Sequence, residues 1–366
     1  MPYKNVEFEV ETLLRTVLER SASDLHLIPG HPPILRIDSR LTPLEDKEVL
    51  TSDYVEKIAL LMIGEKRWPT LQQQRDLDFS FEFRDVNRFR VNAYYEKGAL
   101  ALALRAIPRT IKSLEDLRLP PILHTLADRK QGLVLVVGPT GHGKSTTLAA
   151  MIDYINQNRS EHIITIEDPV EYVFTPKKSI IQQREVGSDT TGFTEAIRST
   201  LREDVNVVMV GEMRDPESIS TTITVAETGH LVFATLHTND ASQTVDRIID
   251  TFPSHQQQQI RVQLASTLLG IISLRLVNKI GGGRLPAVEL LLNNEACRNL
   301  IREGKTYELI NVIHTGNKDG MISLDQYLAQ MVLQNITSLE EAKGFVQYPE
   351  IFESRLRAGG QLNNNM

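Results

Sequence analysis

The sequence predicts an α/β protein: a core built on a mostly parallel sheet, preceded by a smaller α+β domain. Three observations carry this. Residues Leu133 to Val137 form a short apolar run that leads into Gly138-Pro139-Thr140-Gly141-His142-Gly143-Lys144-Ser145, which is G-x-x-x-x-G-K-[ST] in full. The run reads as a strand, and Ser145 to Asn156 reads as a helix, which is the setting a phosphate-binding loop requires. Further continuous apolar runs, Ile163–Ile166, Val207–Val210 and Leu231–Leu236, alternate with helical segments. Such runs mark strands covered on both faces. Before residue 108, by contrast, the strands alternate at period two, as in an antiparallel sheet with one face solvated.

Taken in order, Val10, Leu13, Leu14, Val17 and Leu18 fall at helical spacing, so residues 6–20 read as an amphipathic helix. Ser23 to Leu27 begins a strand, Pro29 to Pro33 is a turn, and Ile34 to Ile37 is the next strand. A second helix covers Ser52 to Ile63. Asp78–Phe83 and Arg88–Tyr94 alternate at period two, and Leu100–Ile107 returns after a Lys97-Gly98 turn. The predicted organisation is a domain at 1–107, a linker at 108–121, the α/β core at 122–357 and a disordered tail at 358–366. Beyond Phe252-Pro253 the reading is helical from His255 to Val277, then a tight turn at Gly281-Gly282-Gly283, then further helices.

Composition narrows the classes. The chain has 366 residues, 41% hydrophobic and 24% charged, as ordinary globular proteins have. A formal net charge of −7 argues against wrapping nucleic acid. The single cysteine, Cys297, excludes an internal disulfide and a thiolate zinc site, and fits a reducing cytoplasm. The acidic N-terminal stretch lacks the apolar core of a signal peptide, and no apolar run is long enough to span a bilayer.

The chemistry gathers at the ends of the core strands, where such sheets bind ligands. In the loop, glycines let successive N–H groups point at an anion, and the following helix adds its positive end. Lys144 would reach the β- and γ-phosphates of a nucleotide, and the Ser145 hydroxyl would ligate Mg²⁺, with Thr146 beside it. Thr165 to Glu171 places Glu167, Asp168 and Glu171 just past a strand, where carboxylates hold metal-bound water or orient an attacking water. A solvated acidic loop is the plainer alternative for these three. Val207 to Glu212 is a hydrophobic strand ending in an acid, the Walker B pattern, with Gly211 where an Asp usually stands. Glu212 would polarise the attacking water. His230 and His237 bracket the strand between them. They are too far apart to share a compact metal site. His237 leaves the strand at the edge of the other boxes, which suits a residue that senses the nucleotide and signals to the next helix.

Together these boxes resemble the secretion ATPases of type IV pili and type II secretion, and within that family the pilus retraction branch. The carrying residues are GPTGHGKSTT, TIEDPVEY, VGEMRDPE, AETGHLVFATLHTNDA and the C-terminal Arg298 to Lys305, RNLIREGK, with ASDLHL, DFSFE, RFRVNA and RAIP in the first domain. The resemblance spans nearly the whole chain. It implies a PAS-like first domain, a RecA-like ATPase core and a homohexameric ring that binds ATP with Mg²⁺. It further implies a motor for pilus retraction and twitching motility, placed at the cytoplasmic face of the inner membrane. There it would engage an inner-membrane platform protein, reaching the membrane through partners and touching no nucleic acid. In that family the nucleotide lies between the domains, and arginines of the first domain close on the phosphates. Arg90 and Arg105 hold the matching positions; without the resemblance they read as strand-surface arginines.

The chain departs from the family pattern in three places. His142 stands where a small serine is usual, and its side chain is expected to point away from the phosphates. Val205-Asn206 replaces Pro-Asp, which should alter a turn. Cys297 replaces an apolar residue and is expected to be buried. Extension and secretion ATPases of the superfamily typically carry an extra N-terminal domain and a tetracysteine motif, which this chain is expected to lack. The alternatives are the retraction accessory paralogue, a pilus extension or type II secretion ATPase, a RecA-like nucleic-acid motor and a non-catalytic nucleotide-binding scaffold.

Overall fold

Period-two alternation before residue 108 and continuous apolar runs after it fold into two separate sheets. The computed structural model describes residues 6–37, 40–83, 87–107 and 110–359. It divides into one unit of Met1–Thr110 with Pro169–Val173, and another of Ile111–Asp168 with Phe174–Met366. Residues 360–366, most of the expected disordered tail, and Pro108 of the expected linker lie outside the described residues.

The first unit runs α1 (Val6–Glu19), β1 (Asp24–Leu27), β2 (Ile34–Ile37), β3 (Arg40–Pro43), α2 (Ser52–Ile63), α3 (Trp68–Gln74), β4 (Asp76–Phe83), β5 (Asn87–Glu96) and β6 (Ala99–Ala106). Its six strands lie in the order β3-β2-β1-β6-β5-β4, every pair antiparallel. Thr51 caps α2 by accepting from the Tyr54 N–H, and Gly64 ends it at φ 75°. Along β5, Phe89, Val91 and Ala93 are fully buried against Leu14, Val55 and Ile58. The strand period therefore sends Arg88, Arg90 and Asn92 to the opposite face. β3 and α3 are absent from the sequence reading; each is short, and α3 contains a proline.

The second unit runs α4 (Ile122–Ala127), β7 (Gly132–Val137), α5 (Lys144–Asn158), β8 (His162–Glu167), β9 (Ile180–Glu185), α6 (Phe193–Thr200), β10 (Val207–Val210), α7 (Pro216–Glu227), β11 (Leu231–Leu236), α8 (Ala241–Asp250), α9 (Ser254–Thr267), β12 (Leu268–Asn278), β13 (Arg284–Leu292) and helices α10 (Glu295–Glu303), α11 (Leu309–Thr315), α12 (Leu324–Leu333), α13 (Leu339–Lys343) and α14 (Pro349–Ala358). The sheet order is β13-β12-β7-β11-β10-β8-β9, parallel throughout except for the β12–β13 hairpin. All six residues of β7 and of β11 are buried. Each buried Val, Leu or Phe there stabilises by about 1.5–3 kcal/mol over exposure, so these strands anchor the fold.

The expected helix from His255 to Val277 is wrong in its second half. α9 stops at Thr267, and Leu268–Asn278 is a strand paired with both β7 and β13. LLGIISLRLV is apolar at all but Ser273 and Arg275, a pattern that periodicity cannot assign between a buried helix and a buried strand. Gly270 marks the difference. A Cβ there would sit 2.7 Å from the Leu291 carbonyl oxygen, the close backbone approach of a strand. Among the described residues no helix is long and apolar enough to cross a membrane.

Candidate active site at the carboxyl edge of the parallel sheet

β7 ends at Val137 and the chain folds into the glycine loop before α5 begins. Gly138, Gly141 and Gly143 take φ of 145°, 79° and 90°. At Gly138 a side chain is excluded outright, because its Cβ would lie 2.6 Å from the Leu274 carbonyl oxygen of β12. At Gly141 nothing lies within 4 Å of that position, so the mouth of the loop is open. The positive-φ glycines and the helix start that follows them give the backbone form of a phosphate-binding loop, open at Gly141.

Lys144 is buried under this loop, at 8% exposure. Its Nζ donates to the Gly138 and Pro139 carbonyl oxygens at 2.8 and 3.1 Å, and lies 3.3 Å from His237 Nδ1. An ammonium has no acceptor, so Nδ1 accepts and Nε2 carries the ring proton. Nε2 faces Glu212 Oε1 at 3.2 Å. Thr140 Oγ1 is also 3.3 Å from His237 Nδ1. The other Glu212 oxygen accepts from Arg214 Nε at 2.8 Å, and Arg214 Nη1 lies 3.7 Å from Asp168. Lys144, His237, Glu212, Arg214 and Asp168 thereby form one continuous polar chain.

Backbone bonds hold that chain in register. Gly211 N–H donates to Ile166 O at 2.7 Å, and Met213 N–H donates to Thr235 O at 3.1 Å. The Thr235 hydroxyl donates to Gly211 O. A Cβ at Gly211 would press to 3.1 Å on the Ile166 oxygen, which accounts for glycine there. Asp215 then starts α7 with a capping box to Ser218. After His237, Asp240 caps α8 through the Gln243 N–H at 2.8 Å.

The remaining predicted residues fall elsewhere. Ser145 and Thr146 are half-buried in the first turn of α5. Glu167 is buried; its Oε1 accepts from Thr165 Oγ1 at 2.7 Å and Gln183 Nε2 at 3.2 Å. His230 lies at the far end of β11, where Nδ1 meets the Val225 carbonyl oxygen at 3.0 Å. The two histidines bracket β11 as expected and share no site within this chain. Glu171, Arg90 and Arg105 belong to the first unit. There Arg90 and Arg105 stand directly opposite each other on β5 and β6. Arg90 reaches Asp78 at 3.2 Å and Arg105 Nε donates to Asp24 at 2.9 Å. Burial alone would raise the Asp24 carboxyl, but the Ser23 hydroxyl and Arg105 outweigh it and hold it below the ordinary value.

Of the departures, His142 is held by a bond from the Leu276 N–H to its Nδ1 at 3.1 Å. Asn206 lies in the bend before β10, where its side chain accepts from the His162 N–H at the start of β8 at 2.8 Å. Cys297 is buried, and burial pushes its thiol up to about 11. Arg214 of this polar chain and Arg275 of β12 carry no role in the sequence reading. Arg214 was visible as a cation two places from Glu212, on the same side of an extended chain. Arg275, which donates to Asn239 O and Oδ1 at 3.0 Å, was hidden in the strand misread as helix.

The sheet order, the glycine loop and the acid-ended strand define a RecA-like phosphate-loop α/β core. The family of type II/IV secretion system proteins matches residues 3–344, and the chain belongs to it. It is 44% identical to the type IV pilus retraction ATPase PilT of Pseudomonas aeruginosa, over 94% of this chain and 100% of that one. It is 43% identical to a twitching motility protein of Neisseria gonorrhoeae, over 94% and 92%. The crystal structure of the pilus retraction motor PilT with bound ADP superposes with a TM-score of 0.87 at 48% identity, covering 93% of this chain and 98% of that one.

Proposed function

We propose that this protein is the Mg²⁺-dependent ATPase that powers type IV pilus retraction, working as a homohexameric ring at the cytoplasmic face of the inner membrane against a platform protein. The carrying observation is the bonded chain from Lys144 through His237 to Glu212 at the mouth of a phosphate loop. The PilT relatives named for retraction support the direction of work.

The roles follow from the chemistry. Backbone N–H groups of the glycine loop, Pro139 excepted, and of the start of α5 hold the phosphates. Lys144 exchanges its two loop carbonyls for phosphate oxygens when nucleotide enters. Ser145 would hold Mg²⁺ through its hydroxyl, with Thr146 adjacent and Glu167 and Asp168 placed to hold the ion's waters; the ion would supply charge neutralisation for the transferred phosphoryl group. Glu212 accepts the proton of the attacking water. His237, between Lys144 and Glu212, reports the γ-phosphate to α8. Glu171, Arg90 and Arg105 are assigned to the same reaction from the first unit, the arginines as cations that close on the phosphates. His230 is left as a structural partner of α7.

The test is ATP hydrolysis by the purified protein with its mass recorded in solution, beside Lys144→Ala. Hydrolysis by a hexamer, abolished in the variant, is expected, together with twitching in cells that depends on Lys144. A hexamer that binds ATP and never turns it over would overturn the motor reading in favour of a scaffold.

A further inference from the structure

β7 pairs with β12 only as far as Val137 opposite Ser273. β12 runs on past that point, so its edge toward β7 loses a strand partner where the phosphate loop begins. The Leu276 N–H is instead given to His142 Nδ1 at 3.1 Å. The loop rests on the same strand at both ends: Gly138 against Leu274, and Gly143 with its Cβ position 3.8 Å from Leu276. His142 therefore takes the place of the missing ladder partner, and a serine would be too short to do so.

An imidazole accepts through Nδ1 only when that nitrogen carries no proton. The charged groups that face His142 are all cations: Lys144 of α5, Arg275 of β12 and Arg284 of β13. Burial first, and then Arg275, Lys144 and Arg284, lower the His142 pKa. The neutral, accepting form is thus the one the surroundings favour. Protonation would remove the bond to Leu276 and add a fourth cation to the group.

We propose that His142 is a positioning residue that fastens the phosphate loop to β12 only while its ring is neutral, so that the loop's grip on nucleotide slackens in acid. This rests on the nucleotide-binding part of the proposed function and adds a regulated element to it. The sign is opposite to simple attraction, in which a protonated histidine beside a phosphate site would tighten binding as pH falls.

The test uses the full-length protein and a fluorescent N-methylanthraniloyl ADP with Mg²⁺, titrated from about pH 5.5 to 8.5 across the histidine range. Three chains are compared: wild type, His142→Asn, whose Oδ1 can stand where Nδ1 stands, and His142→Ser. Protonation of the nucleotide itself is common to all three and cancels in their ratios. At alkaline pH the Ser variant should bind about fivefold more weakly, the worth of one hydrogen bond, and Asn should recover most of the loss. As pH falls below the ordinary imidazole range, wild type should lose affinity relative to Asn. Superimposable wild-type and Asn profiles, or tighter wild-type binding in acid, would overturn the proposal. A ¹⁵N-histidine spectrum of wild type, with Asn to assign the signal, needs no variant to bind: Nε2–H with Nδ1 unprotonated is expected at neutral pH, and Nδ1–H would also overturn it. Absence of ATP turnover would count against the motor reading alone, since neither readout depends on hydrolysis.

Discussion

Glu212→Gln separates binding from chemistry at this site. In the native chain one Glu212 oxygen faces the His237 Nε2–H at 3.2 Å and the other accepts from Arg214 Nε at 2.8 Å. Both neighbours are donors, and a carboxylate satisfies both. A glutamine amide offers one oxygen and one NH₂, so in either orientation one donor meets another donor. Local rearrangement costs about 1–3 kcal/mol, reduced because Arg214 is more than half exposed to water. The larger effect is the loss of a proton acceptor for the attacking water, worth about 10²–10⁴ in turnover, or roughly 3–5 kcal/mol of barrier. In the proposed mechanism the phosphates are held by Lys144 and loop N–H groups, which the substitution leaves in place. Single-turnover phosphate release at saturating ATP should fall by that factor, while the dissociation constant for labelled ADP moves by less than about fivefold. Turnover within fivefold of wild type would refute Glu212 as the base. Equal losses in binding and turnover would instead make Glu212 a structural support of Lys144.

Arg214→Ala should lower turnover several-fold with little change in melting temperature, because it frees Glu212 at an exposed position; an unchanged rate would remove Arg214 from the site. Gly138→Ala should cost about 2–4 kcal/mol, since alanine must accept φ 145° and a 2.6 Å approach to the Leu274 oxygen, and urea melts would measure it. Glu289 is buried, accepts from the Ala241 N–H at 2.9 Å and Ser273 Oγ at 3.2 Å, and burial pushes its carboxyl from 4.5 to about 7. Between those values the folded chain holds a proton that the unfolded chain releases, so its contribution to stability falls as pH rises and levels off above about 7. Glu289→Gln keeps an acceptor and drops the charge, so it should be more stable than wild type by up to about 3 kcal/mol near pH 8, with the gap closing near pH 5, measured by denaturant melts at both.

What the sequence disclosed was local. A phosphate loop is a strand, a turn and a helix in immediate succession, so its glycines, lysine and serine could be read from fifteen consecutive residues. The same holds for α1 and α2, whose apolar spacing is a one-helix property. β12 failed for the opposite reason: LLGIISLRLV is apolar at all but Ser273 and Arg275 and mostly buried, and the neighbours that make it a strand, β7 and β13, lie outside the segment. With β12 unread, Arg275 and the bond to His142 were invisible too.

The same distinction explains why the boxes were recognisable singly and their connection was not. Strand order β7-β11-β10-β8 bears no relation to chain order, yet the polar chain follows it link by link. Lys144 stands beyond β7, His237 beyond β11, Glu212 beyond β10 and Asp168 beyond β8, with Arg214 spanning the last step. Neighbouring parallel strands lie about 4.8 Å apart, which one or two side chains can bridge at their common edge. Each contact therefore needs its two strands adjacent. Had β10 and β11 exchanged places, Lys144 would face Glu212 directly and His237 would stand beyond it, no longer between the two. The topology, more than any single motif, places His237 between Lys144 and Glu212, three residues before Asp240, the cap of α8.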